Sequence, residues 1–336
     1  MKNWRLWAGI LVTVACLVWL VRGTDLRGLC ETLRQTQYVW LVPAFLVYVL
    51  GMWVRALRWS LLLQARGLGG VSRLFRLANI GYLVNSVTPL RLGDVLRAYL
   101  CAERGGFSLV RVLSTLVVER IGDILALLLI LSALLPFVTL PAEYAGPVLA
   151  IGLGAVLGAL LLAVLAVRGE WSLRQFDRVA QRVPALNTVS LRRLVQSVTE
   201  GLGVLATGRS VLAVLGTSVI AWLISGVQFY WVARAVGLRL PWSAPFLMVC
   251  LTSLGMVVPA SPGSLGVIES ITVLTLGLFR VDRETAVGYA LVLRALSYVT
   301  LAGLGLYSLW QEGLDLAGLR KIAAQPPSGL ENTSAG

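Results

Sequence analysis

Residues 110–137 have the sequence VRVLSTLVVERIGDILALLLILSALLPF, in which Arg111, Glu119, Arg120 and Asp123 are the only charged residues. A helix of 28 residues, at about 1.5 Å per residue, is long enough to cross a hydrocarbon core about 30 Å thick. The run lacks the alternation of apolar and polar residues that is typical of membrane β-strands. It therefore predicts a membrane-crossing helix that carries charge about two to three turns beyond Arg111, near the middle of the bilayer.

The rest of the chain has the same character. Hydrophobic residues make up 57% and charged residues 13% of the 336 positions, and the mean hydropathy is +0.82. A soluble domain cannot bury so much apolar surface, so the fold class that we expect is all-α and polytopic in the membrane. We predict about six full crossings, the first of them an uncleaved helix, in the segments 5–21, 38–57, 110–137, 147–167, 211–236 and 284–311.

Two further apolar regions, 77–100 and 245–279, are interrupted near their centres, and each arm is long enough to reach only partway across the core. The interruptions have related sequences, TPLRLG at 88–93 and SPGSLG at 261–266. Ser or Thr followed by Pro is a strong helix start, so the pattern predicts new helices beginning at Thr88 and Ser261, with free N–H groups that favour an anion. Both regions are predicted to be re-entrant hairpins in an inverted-repeat arrangement. The alternative is that the prolines only kink continuous helices.

Charged residues near these breaks and at membrane depth are the candidate site. Each costs about 2.5–3.5 kcal/mol in a lipid-facing position, so they should face inward and pair. Arg120 and Asp123 can meet at i,i+3, whereas Glu119 and Asp123 repel unless a cation, a proton or an arginine from another helix intervenes. A purely structural ion network is the alternative to a functional cavity. The residues expected to bind an anionic headgroup are Arg91, Arg97, Arg120, Arg294, Thr88, Ser261, Gly263 and Ser264, and those expected to balance charge or carry coupling protons are Asp94, Glu119, Asp123 and Glu269.

The distribution of basic residues predicts orientation. With the N-terminus in the cytoplasm, the inner loops hold 18 of the 29 basic residues, which satisfies the positive-inside rule with both termini cytoplasmic in a cytoplasmic (inner) membrane. This topology also accounts for the net charge of +13 without nucleic acid as a partner. The membrane domain is expected to span 1–315, with a basic interfacial helix within 170–209 and a disordered cytoplasmic tail over 316–336.

Several kinds of chemistry are disfavoured. The chain has no histidine, which removes the commonest general base and metal ligand. Its four cysteines have no paired spacing, so we expect no metal site, no cofactor and no catalytic residue.

Three stretches resemble the transmembrane region of the lysylphosphatidylglycerol synthetase/flippase family: NSVTPLRLGD at 85–94 with Arg97, ERIGD at 119–123 and PASPGSLGVIE at 259–269. Arg55-x-x-Arg58-Trp59 is also similar, and the resemblance extends over about 5–312. It implies a flippase-like domain with re-entrant elements around a central lipid-binding cavity. Ser264 stands where the family pattern often has glycine. Family members that make aminoacyl-lipids carry a soluble catalytic domain after this region, and the short polar tail here implies that the synthetase activity does not carry over.

Together these features favour translocation of an anionic lipid or lipid-linked substrate, with membrane lipids as the partner. The alternatives are a membrane-embedded enzyme that acts on a lipid phosphate and an ion-coupled small-molecule transporter. An enzyme would need Asp94, Glu119, Asp123 or Glu269 as its base or nucleophile, because histidine is absent. A homo-oligomer stays open.

Overall fold

The structure is a computed structural model, and it describes residues 13–20, 24–63, 70–88, 92–105, 109–138, 208–256 and 264–314, together with positions 22, 107 and 157. Within these residues the chain is helical and contains no strand. Three predicted features lie outside the described residues: the crossing at 147–167 (apart from position 157), the interfacial helix at 170–207 and the tail 316–336. Most of the predicted first crossing also lies outside them, and its residues 13–20 are helical.

Ten helices are described. They are α1 (residues 13–20), α2 (Leu26–Gln35), α3 (Leu41–Leu63), α4 (Val71–Val87), α5 (Leu92–Gly105), α6 (Leu109–Leu134), α7 (Gly208–Ala235), α8 (Ser243–Gly255), α9 (Val267–Leu278) and α10 (Arg283–Gln311). Short 3₁₀ turns at Tyr38–Trp40 and Leu135–Phe137 precede α3 and follow α6.

Four segments among the described residues are long and apolar enough to cross a membrane: Tyr38–Leu63, Arg111–Phe137, Val211–Ala235 and Arg283–Gln311. They coincide with four of the six predicted crossings. The second predicted crossing is too short, because α3 continues to Leu63 rather than ending at residue 57. This extension places Arg58 inside a helix instead of in a cytoplasmic loop.

Both predicted interruptions separate two helices. In the first broken pair, α4 ends at Val87 and α5 begins at Leu92. In the second broken pair, α8 ends at Gly255 and α9 begins at Val267. In each pair the two helices pack against each other. Each interruption is therefore followed by a helix that packs against the helix preceding it.

Packing of the long helices sets the positions of these pairs. α3 packs along α7, α10 packs along α4, and α6 packs against α5, α7 and α8. Many apolar side chains on the long helices remain exposed, for example Leu46, Leu212 and Val299. In a chain of this composition, such a surface is suited to contact with lipid.

The amphipathic helix α2 was not predicted from the sequence. Asp25 caps its start by accepting hydrogen bonds from the backbone N–H groups of Arg27 and Gly28. Leu29 and Leu33 pack onto the core beside α10, while Arg27 and Glu31 are exposed. At ten residues with two arginines and a glutamate, this helix is too short and too polar for the criteria that identify a membrane crossing.

Candidate functional site

Six charged residues from three helices form one connected group in which positive and negative charges alternate. We call this group the alternating charge cluster. Its charges balance at three of each sign, which is how charge is tolerated away from water. In order of contact, its members are Asp123, Arg58, Glu119, Arg97, Asp94 and Arg120.

The innermost member is Arg58, whose side chain is completely buried. Its guanidinium forms a two-point contact with the Asp123 carboxylate, and its Nη2 lies 3.2 Å from Oε1 of Glu119. Nη1 also donates to Ser218 Oγ at 2.7 Å, and Trp222 Nε1 donates to Asp123 at 3.0 Å. Glu119 and Asp123 were expected to repel unless a cation, a proton or an arginine from another helix lay between them. Arg58 is that arginine from another helix.

Arg97 continues the cluster from α5. Its Nη2 donates to Glu119 Oε1 at 3.2 Å, and its Nε lies 3.5 Å from Asp94 Oδ1. The guanidinium carbon lies 5.1 Å from the ring centre of Trp59 and 5.4 Å from that of Tyr82. Contact with two aromatic rings and two carboxylates holds this buried cation in one position, so Arg97 is poorly placed to exchange its partners for a ligand.

The outer end of the cluster is more open. Arg120 Nη2 donates to Asp94 Oδ2 at 2.9 Å, and the exposed fractions of these two side chains are 41% and 18%. The sequence allowed an i,i+3 pair between Arg120 and Asp123, but in the structure Asp123 is bound to Arg58 and Arg120 contacts Asp94 of α5. The cluster therefore extends from a buried interior, where each arginine contacts two carboxylates, to the partly exposed Arg120 at its end.

The break in the first pair positions Asp94. Asn85, near the end of α4, accepts a hydrogen bond from the backbone N–H of Gly93 at 2.8 Å and donates to Asp94 Oδ1 at 3.1 Å. Thr88 was expected to cap α5, but its hydroxyl instead donates to the carbonyl of Val84 and closes α4. The capping role passes to Asn85 because the hairpin turn brings the end of α4 beside the start of α5.

The second broken pair carries a separate ion pair. Glu269 accepts from Arg294 Nε and from the backbone N–H of Gly266, so the same carboxylate pairs with α10 and caps α9. Arg294 Nη2 also donates to the carbonyl of Ser264 at 3.3 Å. Ser264 has a φ of 51°, a left-handed conformation that glycine adopts with less strain.

A cavity of about 240 Å³ adjoins this ion pair. Glu269 of α9 and Arg294 of α10 contribute to its wall, together with leucines from α1, α2 and α10 and from the turn before α9. The leucines that line it are Leu17, Leu20, Leu26, Leu29, Leu265 and Leu291.

Among the described residues, the contacts of the predicted site residues form two groups. Arg97, Arg120, Asp94, Glu119 and Asp123 belong to the alternating charge cluster, while Arg294, Glu269 and Ser264 belong to the second ion pair. Thr88 closes α4, and Arg91, Ser261 and Gly263 lie outside the described residues.

The sequence-based site list omitted Arg58 and Asn85. Both residues were present in the stretches that carried the family resemblance, and that resemblance was the available signal for them.

A third group of charged residues lies at the C-terminal end of α10. The Glu312 carboxylate, at the end of α10, is contacted by Arg76 at 2.6 Å, Arg104 at 2.9 Å and Arg73 at 3.6 Å. We call these four residues the Glu312 clasp, which joins α4 and α5 to α10. Burial raises the pKa of the Glu312 carboxyl, but hydrogen bonds from Arg76 and Arg104 and the charges of Arg76 and Arg73 outweigh it, so the pKa lies below its ordinary value of 4.5.

We expect Glu312→Gln to lower the melting temperature in detergent at neutral pH by about 3 °C. A carboxyl with a lowered pKa stabilises the fold above the pKa of the unfolded chain, and this contribution is lost as the pH falls through the folded value. The difference between the parent and Glu312→Gln should therefore shrink below about pH 4.5. A difference that stays constant down to acid pH would contradict the ionic role of Glu312.

Among the described residues, no group of three or more histidine, cysteine, aspartate or glutamate side chains could hold a metal ion. The chemistry that the charged groups themselves support is reversible pairing with ions. An exposed guanidinium that already holds one carboxylate can hold a phosphate or another carboxylate in its place.

Comparisons with known proteins agree with this architecture. The family model described as the lysylphosphatidylglycerol synthase TM region matches residues 6–305. A UPF0104 membrane protein of Methanothermobacter thermautotrophicus is 26% identical over 325 residues, covering 91% of this chain and 92% of the relative. A UPF0104 membrane protein of Methanocaldococcus jannaschii is 27% identical over 226 residues, covering 66% of this chain and 91% of the relative. No solved structure gives a significant match.

The family match covers all the helices described here except the last residues of α10. It includes both broken pairs and every residue of the alternating charge cluster. The chain is a helical integral membrane protein that belongs to the family of lysylphosphatidylglycerol synthase transmembrane regions.

Proposed function

We propose that this protein moves an anionic lipid or lipid-linked substrate between the two leaflets of the cytoplasmic membrane. The observation that carries the proposal is the position of Arg120. It is the accessible terminal cation of a charge-balanced cluster, and it is held by Asp94 directly after a helix break. The more deeply placed arginines Arg58 and Arg97 each contact two carboxylates and are buried.

Exchange of one anion for another provides the mechanism. A headgroup phosphate that reaches Arg120 replaces Asp94 as its partner, so the arginine is paired before and after the step. Asp94 retains Arg97 and the Asn85 amide as partners during the exchange. Because neither charge is left alone in a medium of low dielectric constant, the headgroup avoids much of the penalty of entering the membrane. The acyl chains stay in the surrounding lipid.

The arrangement of the broken pairs supports two opposed half-gates. The outer ends of α4 and α5 meet Glu312 at the C-terminal end of α10, whereas α9 leads through residues 279–282 into the N-terminal end of α10. In our proposal the two pairs are re-entrant hairpins that enter from opposite faces, with both termini of the chain in the cytoplasm. Glu269 and Arg294 then give the second hairpin an ion pair equivalent to Asp94 and Arg120.

The test is lipid movement by purified protein in vesicles. A fluorescent phosphatidylglycerol placed in both leaflets is quenched from outside, and the rate at which the protected fraction becomes accessible reports translocation. We expect Arg120→Gln to reduce this rate by about tenfold or more, the effect of losing one charge-assisted contact. Arg239→Gln, which replaces an exposed arginine in the connection between α7 and α8, is the matched control and should keep the parental rate.

Two results would overturn the proposal. One is a parental translocation rate in both Arg120→Gln and Asp94→Asn when each variant elutes as a folded protein. The other is a change in the mass of the labelled lipid during the assay, which would indicate an enzyme acting on the lipid. Movement of a soluble anion without lipid movement would instead support a small-molecule transporter.

A further inference from the structure

The Glu312 clasp carries more positive charge than its carboxylate neutralises. Arg73, Arg76 and Arg104 supply three positive charges, and Glu312 supplies one negative charge. Two positive charges therefore remain within a group whose members all contact one carboxylate. Such a concentration of arginines attracts anions, and a guanidinium can bind a phosphate through two hydrogen bonds at once.

The contacts with Glu312 leave the three arginines able to bind a phosphate as well. The contacts of the three arginines with Glu312 are made by Nε of Arg73, Nε of Arg76 and Nη1 of Arg104. The exposed fractions of the arginine side chains are between 24% and 32%, whereas that of Glu312 is 4%. The carboxylate thus lies beneath three partly exposed guanidinium groups, and an incoming anion meets the cations first.

Aromatic residues place this group at the edge of the membrane. Trp310 and Tyr307, in the last two turns of α10, are exposed by 74% and 53%, and their rings lie 6.2 Å apart. Exposed Trp and Tyr at the end of a membrane-crossing helix are typical of the interface between headgroups and hydrocarbon. Glu312 directly follows the apolar span Arg283–Gln311, so the clasp lies at the depth of lipid headgroups.

We infer that the Glu312 clasp is a binding site for the headgroup of an anionic phospholipid in the adjacent leaflet. The phosphate contacts Arg73 and Arg104, while Arg76 keeps its short hydrogen bond to Glu312. A zwitterionic lipid binds less tightly, because its own cation is repelled by the two surplus positive charges. This site lies at the base of the first broken pair, away from the Asp94–Arg120 pair at the break, and it does not depend on the proposed translocation.

Binding at this position has a structural consequence. The clasp joins α4 and α5 to the end of α10, so a phosphate bound by Arg73 and Arg104 adds a direct connection between α4 and α5. A ligand that binds the folded form raises its stability in proportion to the logarithm of its concentration. The melting temperature of the protein should therefore depend on the charge of the surrounding lipid.

The experiment measures binding of dioleoyl phosphatidylglycerol and dioleoyl phosphatidylcholine to the full-length protein. Mixed micelles or lipid nanodiscs of each composition are compared by melting temperature, and lipid adducts are counted by native mass spectrometry. We expect phosphatidylglycerol to raise the melting temperature more than phosphatidylcholine does. In Arg73→Gln/Arg104→Gln the apparent Kd for phosphatidylglycerol should be weaker by about tenfold or more. Arg239→Gln should match the parent.

The outcomes separate the possible sources of the phosphate. Equal stabilisation by phosphatidylglycerol in the parent and the double variant would overturn the inference, as would equal binding of the two lipids by the parent. Stabilisation by inorganic phosphate to the same extent as by phosphatidylglycerol would assign the clasp to a soluble anion and would also overturn it. If the double variant does not fold, Arg73→Gln alone is the test, because its contact with Glu312 is the longest of the three.

Discussion

Arg58→Met is expected to lower the free energy of unfolding by about 3–5 kcal/mol, the usual effect of removing one partner from a buried ion pair. Arg58 is fully buried and contacts two carboxylates, Asp123 and Glu119. Methionine fills a similar volume but supplies no charge. It therefore breaks the alternation of charges: Asp123 keeps the hydrogen bond from Trp222 Nε1 but loses its cation, and Glu119 loses one of its two cations.

Reversible unfolding in mixed micelles, followed by tryptophan fluorescence, measures this effect. Arg55→Met is the matched control, because Arg55 lies one turn earlier on α3, is only half-buried and contacts the ring of Trp222 and Ser225. We expect its loss to be about 1 kcal/mol or less.

A double variant tests whether the unbalanced charge causes the loss of stability. Arg58→Met/Asp123→Asn removes one charge of each sign, so the cluster is balanced again. The double variant should be more stable than the sum of the two single losses predicts, since residues that share an ion pair are coupled. Additive losses, or equal losses in Arg58→Met and Arg55→Met, would mean that the cluster does not hold the helices together electrostatically.

The same cluster marks the limit of prediction from sequence. The run 110–137 was sufficient to predict a membrane helix with charges near its middle, because length and apolar composition are local properties. The partners of those charges were not predictable in the same way. Arg58 and Asp123 are 65 positions apart, and only the packing of α3, α6 and α7 brings them together.

The helix breaks show a similar division. That a break occurs in each region followed from Thr88-Pro89 and Ser261-Pro262, since proline and its preceding residue disfavour a continuous helix. The predicted helix starts at these residues were wrong, because α5 begins at Leu92 and α9 at Val267. The cap of α5 did not follow, because a Thr-Pro pair predicts a local cap, whereas the hydrogen bond to Gly93 comes from Asn85 across the turn. The related sequences TPLRLG and SPGSLG also gave no indication that Glu269 and Arg294 form an ion pair of their own, apart from the alternating charge cluster.

Gly93→Ala is expected to destabilise the first broken pair by about 3 kcal/mol or more, at the upper end of what overpacking costs. A Cβ atom at position 93 would overlap the carbonyl oxygen of Gly81 and lie 2.8 Å from Oδ1 of Asn85. The first of these atoms belongs to the backbone of the facing helix and cannot rotate away. α5 must then move away from α4, which also breaks the Asn85 cap and displaces the adjacent Asp94.

Gly216→Ala is the control for this prediction. A Cβ atom at position 216, in the interior of α7, has no neighbour within 4 Å, so alanine should leave stability unchanged or raise it by up to about 1 kcal/mol through its helix propensity. Unfolding in mixed micelles and lipid translocation are measured on both variants. We expect Gly93→Ala to lose stability and translocation together, because one displacement separates α4 from α5 and Asp94 from Arg120. Equal stability of the two variants would show that the close approach of Gly81 and Gly93 does not hold the pair together.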